Sequence, residues 1–255
     1  TQKKFKIKSL LKKKTIRLLI PFLLIGLFYL IPIRFIANYP PYESTSLIRI
    51  IYSFLTVNDC GHLWFLPTLL GIFIIATVLI RMTKSKQSTL ICIVLMLYIL
   101  SPYLSSFLLI TSTKYLFFFF MGYFINQYGK QIFSIKAIYH GLATLGILLI
   151  AYVLIFHNEN RVVTTFTSIT IIASLYYFMP HRTNRFILWL DKNSFGIYLF
   201  HSPLMYIIMN KFSIIAPPAI LVPMNLIFGI GGSLIITYFL RAIKCSFVIG
   251  EKNDR

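Results

Sequence analysis

Charge is what this sequence has least of. Only 12% of its 255 residues are charged, against 58% hydrophobic, and just 6 are acidic. That scarcity excludes an ordinary soluble domain, in which roughly a quarter of residues carry charge. The three cysteines, Cys60, Cys92 and Cys245, fall on an outer loop, within an apolar run and in the tail. No two are placed to meet, so no disulfide framework is implied. HExxH, CxxC, Walker A and GxGxxG patterns are all absent, which removes the common metal and nucleotide-fold motifs. His140, His157 and His181 have no Cys, Asp or Glu at ligand spacing, so no metal is expected. No Ser or Cys stands with a base at nucleophile-elbow spacing, which argues against a covalent intermediate. Soluble domains, low-complexity linkers and clear internal repeats are missing too.

What is present is apolar length. Stretches near 16–36, 63–80, 88–104, 113–127, 137–156, 162–179, 194–210 and 220–243 are each long enough to cross a bilayer, since about 20 residues span the hydrocarbon. The expected fold class is all-α, a polytopic transmembrane helical bundle of about 8 spans, forming one integral-membrane domain over 1–255. The net charge is +19, which by itself would suit nucleic acid. The position of the charges decides otherwise. With the N-terminus inside, all the cations except Arg34, Arg49, Lys114, Arg161 and Lys211 fall on inner segments. That is the positive-inside bias, and it places both termini in the cytoplasm of a plasma-membrane protein. No nucleic-acid partner is expected, and the bilayer is the first partner. The lysine-rich opening leads directly into a full-length span, unlike a cleaved signal peptide; over residues 3–14 it reads as a topogenic anchor on anionic lipid.

Three groups of residues could carry chemistry. The first is Asn193-Ser194-Phe195-Gly196-Ile197-Tyr198-Leu199-Phe200-His201-Ser202-Pro203. On a helix, Ser194, Tyr198, His201 and Met205 share one face, and at about 1.5 Å per residue His201 lies roughly 10 Å beyond the helix start. An ionisable group at that depth is costly to desolvate and marks a functional site; the plainer reading is a neutral His bonded to a neighbouring helix. The second is Lys14-Thr15-Ile16-Arg17, two cations three residues apart on one helical face, suited to a polyanionic ligand. The third is Asp59-Cys60-Gly61-His62-Leu63-Trp64. If a helix starts near Asp59, Asp59 and His62 touch, and the carboxylate orients the ring. Trp64 fits either an aromatic belt at the outer interface or a shelf for a sugar ring.

Four landmarks occur in order: Lys14-x-x-Arg17-Leu-Leu-Ile-Pro21, His62-Leu-Trp64-Phe65-Leu66, Phe119-x-x-Gly122-Tyr123, and Ser194-Phe-Gly-Ile-Tyr198-Leu-x-His201-x-Pro203. Together they resemble the membrane-bound acyltransferase-3 family, which includes O-acetyltransferases of bacterial cell-surface polysaccharides, along essentially the whole chain. The resemblance implies an enzyme of about ten spans that takes acetyl from cytosolic acetyl-CoA and gives it to a saccharide hydroxyl at the outer face. It places Lys14 and Arg17 on the pair implicated in holding the CoA phosphates, with Lys14 where Arg is usual. It also implies an upstream span bearing the general-base His, so this chain is expected to lack its first two spans. Within the chain the candidate bases are His201 and His62, the latter with Asp59, and Trp64, Ser194 and Tyr198 would line the acceptor and acyl path by direct transfer. The rival reading is a non-enzymatic exporter of polysaccharide or lipid-linked glycan.

Overall fold

The computed structural model describes residues 7–83, 86–132, 141, 145–150, 152, 161–178 and 184–251. Every regular element among them is helical. The first helix, α1 (Ile7–Ile25), passes through a π-helical turn at Gly26–Leu30 into α2 (Ile31–Ile36). Two short helices, α3 (Pro40–Glu43) and α4 (Leu47–Leu55), form the following loop. A 3-10 turn over Gly61–Trp64 then opens α5 (Phe65–Met82), and α6 (Gln87–Leu100) and α7 (Phe107–Ile132) follow. The chain continues with α8 (Arg161–Phe178), α9 (Arg185–Phe212) and α10 (Pro218–Ala242), and ends its described part in a 3-10 turn at Ser246–Ile249.

Four helices among the described residues are long and apolar enough to cross a membrane: Leu11–Ile36, Gly61–Met82, Phe107–Tyr128 and Pro218–Ala242. They correspond to the runs near 16–36, 63–80, 113–127 and 220–243. The runs near 88–104 and 162–179 give the shorter apolar helices Gln87–Tyr103 and Val163–Ile172. The run near 194–210 lies inside α9, which carries Asp191, Lys192, Asn193, Ser194, His201 and Asn210 and is too polar to join the four. Most of 137–156, with His140, lies outside the described residues, as do His157 and His181.

The chain divides into two compact units, Thr1–Leu116 with Arg185–Arg255, and Phe117–Asn184. In the second, α8 consumes its own polar groups: the hydroxyls of Thr167, Ser168, Thr170 and Ser174 donate to carbonyls three or four residues back. An apolar surrounding tolerates hydroxyls satisfied in this way. In the first unit the core runs along α1, α2, α5 and α9, with Leu30, Leu63, Leu66 and Leu199 fully buried. Phe54 from α4 stacks on Phe22 at 4.6 Å and lies over Gly26, at the start of the π turn, where a Cβ would strike its ring.

Among the described residues the most extensive helix pairing joins α9 to α10. Pro217 is extended and Pro218 occupies the first turn of α10, where its missing N–H costs nothing. The two backbones approach through small residues: a Cβ at Gly196 would run into Thr237, and one at Gly232 would come within 2.7 Å of Leu204 Cδ1. Ser233 and Thr237 are fully buried and bond to carbonyls of their own helix. Small residues at such contacts let van der Waals packing hold helices together in lipid. Gly196→Leu is expected to destabilise the protein by about 1–3 kcal/mol through overpacking, read as a lowered thermal midpoint in detergent.

Candidate active site

Helix α9 gathers the polar groups, and Pro203 determines how. In a regular helix the Leu199 carbonyl accepts from the N–H of residue 203; a proline has none, and its ring crowds that carbonyl. Leu199 O is therefore free, and the His62 ring occupies it, with Nε2 3.1 Å away. The Tyr198 hydroxyl returns the contact by donating to the His62 backbone carbonyl at 2.6 Å. One turn on, His201 Nδ1 lies 2.9 Å from both Ile197 O and Tyr198 O. The centroids of the His62 and His201 rings are 5.2 Å apart, with Tyr198 5.6 Å from the first and 6.4 Å from the second.

These contacts fix which tautomer each imidazole takes when its ring is neutral. A carbonyl oxygen only accepts, so the nitrogen facing it carries the hydrogen and the other nitrogen of the neutral ring keeps the lone pair. His62 is thus Nε2–H, with its lone pair on Nδ1, which is buried and has no partner. His201 is Nδ1–H, and its free lone pair is on Nε2. Two imidazoles of opposite tautomer stand against each other, with ring centroids 5.2 Å apart and His201 half-buried.

Two expected partners lie elsewhere. Ser194, expected on the same face as Tyr198 and His201, is exposed, and its hydroxyl donates back to Asp191 O at 2.8 Å. Asp59 does not touch His62 but pairs with Arg34, Nη1 to Oδ1 at 2.8 Å. The reason is local: no helix starts at Asp59. The chain turns through left-handed backbone at Val57 (φ 65°) and again at Gly61 (φ 51°), the first residue of the 3-10 turn, which destroys the i, i+3 relation.

Trp64 is half-buried among aromatic rings. Its centroid lies 5.5 Å from Tyr115 at an interplanar angle of 32° and 6.2 Å from Phe107 edge-on.

At the other end of the unit, Lys14 and Arg17 are separated by their neighbours. The Lys14 ammonium lies 4.8 Å above the Phe73 ring of α5, whereas the Arg17 guanidinium lies 6.0 Å from the Phe195 ring of α9. Arg17 instead joins Lys13 and Lys192 around a cleft of about 610 Å³, walled by Ile16, Ile20, Phe247, Gly250 and Glu251. Gly250 closes onto α1, where a Cβ would stand 2.6 Å from Arg17 O. The one carboxylate there is neutralised: Arg241 holds Glu251 with two bonds, of 2.6 and 2.9 Å, and reaches Asn193 Oδ1 at 2.7 Å.

A family model for an acyltransferase domain, acyltransferase-3, matches residues 1–242. The chain belongs to the acyltransferase-3 family. No curated protein and no solved structure matches it. Within this acyltransferase-3 chain the structure brings together His62, Tyr198 and His201, and it sets Arg17 apart from Lys14.

Sequence reasoning missed Lys13 and Lys192, the companions of Arg17, and Arg34, the true partner of Asp59. Nothing in the sequence pairs Lys192 with Arg17, because the two meet only where α9 packs against α1. Pro203 gives the sharpest test of the site. Pro203→Ala supplies the absent N–H and gives Leu199 O a helical donor, in competition with His62. The variant is expected to keep or raise its thermal midpoint, since a helix-interior proline costs about 3 kcal/mol, and yet to lose acyltransferase turnover.

Proposed function

We propose that this protein is a membrane O-acyltransferase that moves an acetyl group from cytosolic acetyl-CoA to a hydroxyl of an extracytoplasmic saccharide, at the plasma membrane with both termini inside. One observation carries the reading. A base lone pair, on His201 Nε2, stands six residues, about 9 Å, along α9 from the ring on which Arg17 rests. The same helix thus links a cationic cleft at one end to an imidazole pair.

The cleft has the composition a CoA moiety needs. Lys13, Arg17 and Lys192 supply charge for its phosphates, and Ile16, Ile20 and Phe247 supply apolar wall. Arg17 adds a planar fork matched to phosphate oxygens. Because Arg241 neutralises Glu251, the carboxylate does not cancel that field. When bound, the donor contributes an activated thioester.

The remaining work falls to the histidines. An alcohol becomes a competent nucleophile as its proton is taken, and His201 Nε2 is placed to take it while Nδ1 stays anchored on Ile197 O and Tyr198 O. As the acceptor oxygen bonds to the acyl carbon, the carbon–sulfur bond breaks, and the proton held by His201 passes to the departing thiolate. His62 packs against the His201 ring and keeps it in line, and Tyr198 locks His62 in place. Trp64 lines the acceptor side, and Ser194 belongs to the approach on the donor side. The positive-inside distribution supports this orientation, with the cationic cleft facing the cytosol.

The test is calorimetric binding of acetyl-CoA to the purified full chain, paired with transfer to an oligosaccharide pool. Arg17→Ala is expected to weaken binding about tenfold, as loss of one charged hydrogen-bonding group does. His201→Gln is expected to leave binding within about twofold and to lower transfer by about 10²–10⁴, the usual worth of a general base. No acetyl-CoA binding to the unmodified protein would overturn the reading in favour of a non-enzymatic polysaccharide exporter.

A further inference from the structure

Arg34 is 2% exposed, the largest fully buried side chain among the described residues. Its position at the end of a long apolar helix would suit a cation reaching for water, yet it turns inward. Nη1 donates to Asp59 Oδ1 at 2.8 Å and to the Tyr42 hydroxyl at 3.2 Å, and Nη2 donates to the Tyr206 hydroxyl at 3.4 Å. The guanidinium also faces three rings, with Tyr39 at 4.5 Å, Tyr206 at 5.5 Å and Tyr42 at 5.7 Å. A buried charge survives only when it is paired and hydrogen-bonded, so this aromatic cage is a built device.

What the device holds is the turn before His62. The N–H groups of Asn58 and Asp59 both donate to Ser53 O, at 2.9 and 3.2 Å, which ties one side of the turn to α4. Arg34 ties the other side. It grips the Asp59 carboxylate, and its Nη2 lies directly beneath Gly61, where a Cβ would stand 2.7 Å away. Gly61 is also at φ 51°, a conformation that favours glycine. The backbone therefore leaves Arg34 at one residue and delivers His62 at the next. Through Tyr206, Arg34 is bonded as well to α9, the helix whose Leu199 carbonyl receives the His62 ring.

We propose that Arg34 is a positioning residue that, acting through Asp59 and the Gly61 turn, sets the His62 imidazole against His201. Asp59 thereby serves the histidine pair indirectly, through a guanidinium instead of by contact with the ring. This inference rests on the reading of His62 and His201 as the reactive pair. It makes a claim about His62 that can be measured without turnover.

The experiment compares full-length Arg34→Lys and Asp59→Asn with the unmodified protein in detergent. Thr68→Val serves as comparator, because it deletes a buried hydroxyl bonded to Thr111 at 2.9 Å, in a contact that involves neither histidine. One readout is the rate at which diethyl pyrocarbonate modifies His62, followed by peptide mass spectrometry below each variant's melting point. The expected result is at least a threefold change in His62 modification in both Arg34 and Asp59 variants, with none in Thr68→Val. The second readout is transfer kinetics, in which both variants are expected to lose at least tenfold in kcat with KM for acetyl-CoA within twofold, and Asp59→Glu to recover part of the loss. His62 reactivity unchanged in Arg34→Lys and Asp59→Asn would overturn the proposal, as would a change matched by Thr68→Val. Absence of transfer by the unmodified protein would count against the function proposed above and leave the His62 result to decide this one.

Discussion

The structure depends on a carbonyl that a proline has left without its helical donor. Leu199 O receives the His62 N–H, and the Tyr198 hydroxyl bonds back to His62 O, so the start of α5 and the middle of α9 exchange two hydrogen bonds across fully buried Leu63 and Leu199. In an apolar medium an unmade hydrogen bond costs more than a made one gains in water. That asymmetry gives the bridge its directional force. Helices in lipid have little hydrophobic reason to adopt one rotation over another, whereas a proline-exposed carbonyl at one height accepts from one partner.

From that bridge α9 acts as a ruler. Its basic end meets Arg17 through Phe195 and carries Lys192 into the cationic cleft, and its middle holds Tyr198 and His201. Further along, Tyr206 receives Arg34 and Asn210 donates to Ala37 O. Groups that chemistry must keep in register are thus set by the rise of a single helix, and the close packing of Gly196 on Thr237 and Gly232 on Leu204 holds that helix to α10. Positioning on a rigid element is what the proposed proton transfer needs.

Much of this was legible in the sequence. Low charge and long apolar runs gave an all-helical membrane chain, and the Asn193–Pro203 stretch pointed to Tyr198 and His201. What could not be read were the partners that long-range packing chooses. Lys14 and Arg17 have the spacing of a pair, but Phe73 and Phe195, from two different helices, draw them apart. Asp59 and His62 also have a pairing interval, yet Gly61 permits a left-handed turn that only the fold selects. An arginine near a span end looks like an interfacial cation, and Asp59 and the distant Tyr206, closing with Tyr39 and Tyr42 around the guanidinium, make Arg34 an interior one. Ser194 shows what periodicity leaves open: it gives a residue's face, and the hydroxyl's partner, Asp191 O, is chosen locally.

The most direct test of the bridge is ¹⁵N solid-state NMR of histidine-labelled full-length protein in lipid, with the two rings assigned from His62→Asn and His201→Asn spectra. The account predicts opposite tautomers for the two uncharged rings, Nε2–H for His62 and Nδ1–H for His201. Finding the same tautomer on both rings, or the reverse assignment, would contradict it.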